Sequence, residues 1–593
     1  MEVLEYPFDT EYIIKNKKKI KKELLENENL LEKRIAILGG STTSEVKNML
    51  ELFLLNYGIK PIFYESEYNM YYEDALFGNP ELDSFKPDII YVHTTVRNII
   101  EFPNINDSLG DIDLKYNNLI NRFKSIWESL TSKFDSIIIQ NNFDYPNIRL
   151  LGNKDVVDEH GRINFVNRIN SYFYEYAREH DKFYINDLNY VSSCYGLDKW
   201  SNDFYWYMYK YAMEVPAIPY LAFNLAKIIK SLYGKNKKAL ALDLDNTLWG
   251  GVIGDDGIEG ISVGPEVPSG QVYYYFQKYL ADLKNLGVIL NVVSKNNEDV
   301  AIDGLNHEGN FLHPDDFIKI KANWDAKNLN IKCIADELKI GADSFVFVDD
   351  NPAERKIVKD YIENIGVPNI GNPEDYIHVL DRNGYFETTI LSKEDLKKNE
   401  LYKENLKREE LKQSFENYNE YLKSLKMKAE ICSFKDVYLE RISQLTNKSN
   451  QFNLTTKRYT LADIETIKEN DNYITLYGKL EDIFGDNGVV SVVIGEIKGR
   501  DLHIDLWIMS CRVLKRDMEV AMMDKLVSIA RSKGIKNIYG YYYPTEKNKM
   551  VSTFYEEQGF DLLIVDEDNN KKYLLEVDSY ELRNKNIEVN ENE

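Results

Sequence analysis

The chain has 593 residues, 44% of them hydrophobic and 13% aromatic, so it is too long for one core and too apolar for disorder. Its net charge of -24, from 73 basic and 97 acidic side chains, makes a poor surface for a nucleic-acid backbone, and no nucleic-acid partner is expected. Cys194, Cys333, Cys432 and Cys511 are widely separated, no C-x-x-C pair occurs, and no run reaches the ~18 apolar residues of a membrane span, so a cytoplasmic protein without membrane contact is expected.

In chain order, residues 1–32 hold charged residues and leucines at helical spacing, an exposed helix leading into the first domain. Residues 33–230 alternate strand and helix: "RIAILGG", "PDIIYVHT" and "FDSIIIQNN" read as short buried strands, with helices such as "NNLINRFKSIWESL" between them. That alternation predicts a parallel α/β sheet covered on both faces. A second α/β domain, 237–385, has strands "KALALDLD", "VILNVVSKN" and "SFVFVDDNP", separated by amphipathic helices that end near Gly287 and Gly341. Residues 392–426 read as one long, solvated linker helix, with Ser392 and Asp395 as a capping box and Leu411, Phe415, Tyr418, Leu422 and Leu425 at steps of four and three. Residues 428–580 run β, β, helix, β, which predicts an α+β domain, and 581–593 form an acidic, frayed tail.

The chemistry concentrates in "DLDNT". An alternating strand sends Asp243 and Asp245 to the same side, at the carboxyl end where a parallel sheet binds ligands. Two carboxylates there repel unless a cation sits between them, and Mg²⁺ suits such hard oxygen ligands. One carboxylate can instead attack phosphorus while the other protonates the leaving oxygen and then activates water. Three further parts follow in order. Ser294 ends the next strand and can bind a phosphate oxygen; Lys327, at a helix start, can neutralise developing charge; Asp349 and Asp350 end another strand and complete an acidic metal site of Asp243, Asp245, Asp349 and Asp350.

With these four motifs the chain resembles the haloacid dehalogenase (HAD) superfamily of phosphotransferases. The resemblance implies that Asp243 is the nucleophile, Asp245 the acid/base and Mg²⁺ the cofactor. "DLDNTLWGGVIGDDG", "SKNNE" and "FVFVDDNPAER" narrow it to the FkbH proteins of HAD subfamily IIIC. That family implies three domains: an SGNH-hydrolase-like domain, a Rossmann-like HAD domain without a large cap, and a C-terminal domain resembling the GNAT acetyltransferases. "ILGGSTTSE" puts Ser41 at the SGNH nucleophile position, but no Asp-x-x-His lies in 181–220, so a docking or scaffold role is expected there. In the GNAT-like domain Lys515 and Asp517 stand where the pyrophosphate loop usually has glycines. Cys511, beside Arg512, Lys515 and Arg516, reads either as a catalytic thiol that carries an acyl group or as a core cysteine. Asn450, Gln451, Asn453 and Thr455 read either as an acyl pocket or as a satisfied turn.

The resemblance implies an enzyme that takes a phosphoglyceryl group from 1,3-bisphosphoglycerate, dephosphorylates it and loads it on the phosphopantetheine thiol of an acyl carrier protein for a polyketide or related pathway. That acidic carrier would dock on a local basic patch, for which Arg512–Arg516 and the lysines near 547–549 are candidates. The aspartates equally fit a stand-alone phosphatase acting on a small phosphorylated substrate. A non-catalytic scaffold is the third reading.

Overall fold

The computed structural model describes residues 1–27, 30–391, 393–449, 451–510, 513–545 and 547–590. The chain forms two compact units: Met1–Lys235 with Glu387–Thr389, and Asn236–Phe386 with Ile390–Glu593.

The first unit is a parallel sheet of β1 (Leu31–Gly39), β2 (Ile59–Glu65), β3 (Ile89–His93), β4 (Ile137–Asn141) and β5 (Phe183–Asn186), in the order β2-β1-β3-β4-β5. β3 and β4 are buried along their whole length, as strands covered on both faces must be. Helices α1 (Thr10–Leu24), α2 (Ser44–Asn56), α3 (Leu109–Lys133), α4 (Arg162–Glu179) and α5 (Ile218–Leu232) supply that cover. α1, α2 and α5 share one core, and α3 and α4 share the other. The expectation of an exposed leading helix is corrected here. α1 is N-capped by Asp9, which accepts from the Tyr12 N–H at 2.9 Å, and it buries Ile13 and Ile20 in the core that also holds α2.

The second unit contains two sheets. The first is parallel: β6 (Ala239–Leu242), β7 (Ile289–Ser294), β8 (Lys319–Ala322) and β9 (Phe345–Val348), in the order β8-β7-β6-β9. The chain leaves β6 toward β7 on one side and returns to β9 on the other, so the strand order reverses between β6 and β9. That reversal opens a crevice at the carboxyl ends of those two strands. α6 (Pro268–Asn285), α7 (Glu298–Leu305), α8 (Lys327–Leu338) and α9 (Pro352–Tyr361) connect the strands. α6 ends before Gly287 as expected, with φ +91 there; α8 ends at Leu338, three residues before Gly341, because Lys339 itself adopts a left-handed φ of 55.

The segment 392–426 is not one solvated helix. Ser392 lies outside the described residues; Lys393–Leu396 is followed by α10 (Lys398–Gln413) and α11 (Tyr418–Ser424). Asn417 starts α11 by accepting from the Asn419 N–H at 2.9 Å. Burial sets the path. Tyr402 enters the core of the four-stranded parallel sheet with Ile331 and Phe345, and Tyr421, Leu422 and Leu425 enter the C-terminal core. Arg408 is fully buried and grips Asp482 with both Nε (2.8 Å to Oδ2) and Nη2 (2.7 Å to Oδ1). Arg516 shares that carboxylate at 3.3 Å.

The second sheet is mixed, in the order β15-β16-β14-β13-β12-β11-β10-β17. Its strands are β10 (Met427–Cys432), β11 (Tyr473–Asp482), β12 (Gly485–Lys498), β13 (Asp501–Met509), β14 (Asn537–Tyr542), β15 (Asp561–Val565), β16 (Lys571–Glu576) and β17 (Ile587–Asn590). α12 (Leu439–Lys448), α13 (Leu461–Lys468) and α14 (Met518–Ser532) pack against it. The frayed tail is a second correction. Ile587–Asn590 adds to the sheet as a parallel partner of Met427–Glu430, which satisfies the open edge of β10.

Asp482→Ala would leave two buried guanidinium groups facing each other without their shared carboxylate. We expect it to destabilise the second unit by about 3–5 kcal/mol in denaturant unfolding. Breaking the exposed Lys15–Glu11 pair should cost under about 1 kcal/mol in the same experiment.

Candidate active site

The crevice between β6 and β9 gathers the predicted residues from separate strand ends. β6 delivers Asp243, and β9 delivers Asp349 and Asp350. Their carboxylate oxygens lie within 4.8 Å of one another. Lys327, the first residue of α8, sits among them: Nζ is 2.9 Å from Asp243 Oδ1 and 2.6 Å from Asp349 Oδ2. Asp243, Asp349 and Lys327 are all buried. Ser294 ends β7, is buried, and accepts the Asn323 N–H on its carbonyl at 3.2 Å.

Three carboxylates around one ammonium leave an excess of negative charge in a dry crevice. Burial raises the Asp243 carboxyl above its usual range; the Lys327 ammonium opposes that rise, and the Asp349 charge adds to it. Asp349 is raised by burial against the pull of Lys327. Asp350 is raised by burial and by Asp243. For Lys327, burial favours the neutral amine, but the charges of Asp243 and Asp349 outweigh it and hold the ammonium above its ordinary pKa. Such a site gains from a further cation. Its donors are three hard carboxylates, and it offers no soft sulfur or imidazole ligand, so they fit a magnesium-like divalent ion.

Asp245 does not join that cluster, which corrects its place among the metal carboxylates. Its Oδ1 accepts the Trp249 indole N–H and the Ile253 backbone N–H, each at 3.0 Å. Its Oδ2 accepts from the Asn296 amide at 2.9 Å. The carboxylate therefore accepts three N–H groups, two on Oδ1 and one on Oδ2. The same turn brings in Thr247, whose hydroxyl accepts the Asp350 N–H at 3.2 Å and ties the β6 loop to the β9 loop. Arg355 fixes the other side by donating Nη1 to the carbonyls of Asp349 and Asp350, each at 2.7 Å. Thr247, Trp249, Asn296 and Arg355 stand inside the quoted motifs, but their partners lie on other strands, and the sequence alone gave them no role.

The flanking sites are assembled differently. Ser41, after β1, has a buried hydroxyl without a hydrogen-bond partner. Asn98, beside it, is fully engaged by the Gly40 carbonyl and the Thr95 N–H. His93 is buried against the Tyr91 hydroxyl and the Asn141 amide, and burial pushes its pKa down to about 4. His180 stacks on Tyr176.

In the C-terminal sheet Cys511, Arg512 and Asn450 lie outside the described residues. Asn453 and Thr455 hold a turn: Asn453 accepts from the Thr456 N–H at 2.8 Å, and Thr455 donates to the Asp505 carbonyl at 2.8 Å. Arg516 is buried on Asp482 and Asn405, and Lys547 pairs with Asp343 at 2.6 Å, so neither is a free element of the expected basic patch. Lys515 and Asp517 adopt φ of 63 and 61 without being glycine. β13 and β14 pair only at Asp501–His503 with Asn537–Tyr539. Beyond that the chain's own Leu454 lies between them: its N–H donates to the Trp507 carbonyl at 3.3 Å and its carbonyl accepts the Tyr543 N–H at 2.9 Å.

Residues 34–230 match the family model described as the FkbH N-terminal domain. The chain is similar to the crystal structure of the N-terminal part of protein BF1531 from Bacteroides fragilis, "containing phosphatase domain complexed with Mg". The identity is 27% and the TM-score 0.58, over 63% of this chain and 98% of that one. It is also matched by the ribosomal-protein-S18-alanine N-acetyltransferase of Escherichia coli, at 11% identity and TM-score 0.20, over 25% of this chain and 94% of that one. No curated protein matches the sequence.

Mg²⁺ titration should raise the thermal midpoint of the wild-type protein, because the folded state alone assembles the three carboxylates. Asp349→Asn should flatten that dependence. An equal Mg²⁺ shift in wild type and variant would remove Asp349 from the ligand set.

Proposed function

We propose that this chain is a magnesium-dependent phosphatase of the HAD type that also takes part in acyl transfer to a carrier protein. The observation that carries the phosphatase reading is the triad of Asp243, Asp349 and Asp350 at the strand-order reversal, with Lys327 paired to Asp243 and Asp349. The likeness to the BF1531 phosphatase-domain structure, crystallised with Mg, supports the same reading.

When bound, Mg²⁺ would be held by Asp243, Asp349 and Asp350 and would offset the charge of phosphate and carboxylates together. Lys327 holds Asp243 by its Oδ1 and keeps a positive charge beside the phosphate. The Ser294 hydroxyl, at the end of β7, takes a phosphate oxygen. Asp243 attacks phosphorus; its bond to phosphorus forms as the bond to the leaving oxygen breaks. Asp245 gives the leaving oxygen a proton. It then takes a proton from the water that attacks the aspartyl phosphate, and inorganic phosphate leaves.

The finer reading follows the FkbH resemblance, and the match of residues 34–230 to the FkbH N-terminal model supports it. The phosphorylated substrate is a phosphoglyceryl group from 1,3-bisphosphoglycerate, and the acceptor is the phosphopantetheine thiol of an acyl carrier protein. The C-terminal part handles the acyl group, with Cys511 as its candidate thiol. Ser41, with no base in reach of its hydroxyl, takes no part in hydrolysis on this reading.

Incubation with Mg²⁺, 1,3-bisphosphoglycerate and a holo-carrier, followed by the intact mass of the carrier, tests this. A glyceryl adduct is expected. A phosphoglyceryl adduct with the Asp243→Asn variant would place phosphate removal at the HAD site. An unmodified carrier, with phosphate still released from simple esters, would leave a stand-alone phosphatase. Asp243→Asn should release no phosphate while keeping its circular dichroism; an active variant would overturn the nucleophile.

A further inference from the structure

Trp324 is the large apolar side chain left out in solvent beside the phosphatase crevice, 71% exposed. It stands in the short bridge 323–326 between β8 and α8. One side of that bridge is tied to Ser294 by the Asn323 N–H, and the other runs straight into Lys327. The bridge is held rigid: Asn323 and Asn330 exchange amide hydrogen bonds at 2.8 and 3.2 Å, and the Asp325 N–H donates to Asn323 Oδ1 at 3.0 Å.

The indole is also oriented. Its N–H donates to Asn297 Oδ1 at 3.0 Å. Asn297 is the N-cap residue of α7, yet its side chain makes no capping bond to that helix. An asparagine in that position ordinarily accepts from its own first turn. Here the oxygen holds Trp324 instead, so the ring is presented outward and kept from turning away.

The elements framing the same mouth carry an excess of acid. Ile253–Asp256, anchored on Asp245 through the Ile253 N–H, exposes Asp255 and Asp256; the start of α7 exposes Glu298 and Asp299; Asp325 follows Trp324. Lys295, the lysine that follows Ser294, is paired with Glu354 at 2.6 Å. A ligand that brings a second negative charge besides its phosphate would meet these carboxylates without a free cation among the residues named.

We propose that Trp324 is the platform for the part of the substrate that does not react, and that this part is uncharged: the site takes a phosphate monoester whose remainder is a neutral, CH-rich group rather than a free carboxylate or a second phosphate. The proposal rests on the phosphatase reading of Asp243. For a phosphoglyceryl substrate it means the form whose carboxyl is masked as an ester or thioester.

The test compares 3-phosphoglycerate with its methyl ester, which differ in one charge next to the same phosphate. At low ionic strength the full-length protein with Mg²⁺ should show kcat/KM about tenfold higher for the methyl ester. The gap should narrow at about 0.5 M salt, as screening requires. Trp324→Ala should raise KM for the ester about fivefold while kcat falls by no more than about twofold, and Trp324→Phe should restore most of the binding. Equal or better use of the free acid would overturn the charge selection, and an unchanged KM in Trp324→Ala would overturn the platform. Phosphate release from acetyl phosphate, present in wild type and lost in Asp243→Asn, is measured alongside. Its absence in wild type would instead remove the phosphatase reading, and the proposal with it.

Discussion

The repulsion among three carboxylates at the ends of two neighbouring strands is the constraint around which the phosphatase half is built. β6 and β9 bring Asp243, Asp349 and Asp350 within reach of one another, and the fold must then hold them there. It does so with backbone and charge together. Thr247 ties the two loops, Arg355 fixes the carbonyls behind Asp349 and Asp350, and α8 begins at the point where Lys327 can touch two of the acids. One ammonium against three carboxylates is still a deficit, and burial, more than their mutual charge, raises the pKa of all three acids. A crevice that leaves its charge unbalanced in the resting chain is arranged to be completed by a cation and a phosphate.

What could be read from the sequence was whatever is local. Apolar runs that stop at an acid marked β6 and β9, and the order Asp243, Ser294, Lys327, Asp349 identified the site before any geometry. The role of Asp245 was not local. A two-residue alternation places it beside Asp243, but the chain turns after Leu244, and Trp249 and Ile253 come back to hold its carboxylate. β8, β15 and β17 escaped notice because short edge strands carry mixed or exposed faces. The break in 392–426 escaped notice for the opposite reason. The heptad-like spacing was real, but the burial of Arg408 on Asp482, seventy-four residues away, decided the path.

The loop ahead of α14 makes its turn without glycine. Left-handed conformations at Lys515 and Asp517 are what glycine adopts without strain, and both residues adopt them with a Cβ in place. The absence of glycine therefore did not mean the absence of the turn. Leu454 takes the hydrogen bonds of Trp507 and Tyr543 that diverging strands would otherwise leave open. An extended ligand cannot add itself to β13 there while that segment stays in place.

α8 links the crevice to the C-terminal part. α8 starts with Lys327 in the crevice; Lys339, just past its last residue, pairs with Glu409 of α10 at 2.6 Å, and Asp343 just beyond pairs with Lys547 of the C-terminal part at 2.6 Å. α10 in turn places Asn405 against Arg516, next to the left-handed loop. A displacement of that loop has a short, packed route to the residue that holds Asp243. Helices of this kind move as rigid pieces rather than bending gradually. α10 packs into both cores, with Tyr402 in one and Leu411 against the other, and so connects the two sheets directly.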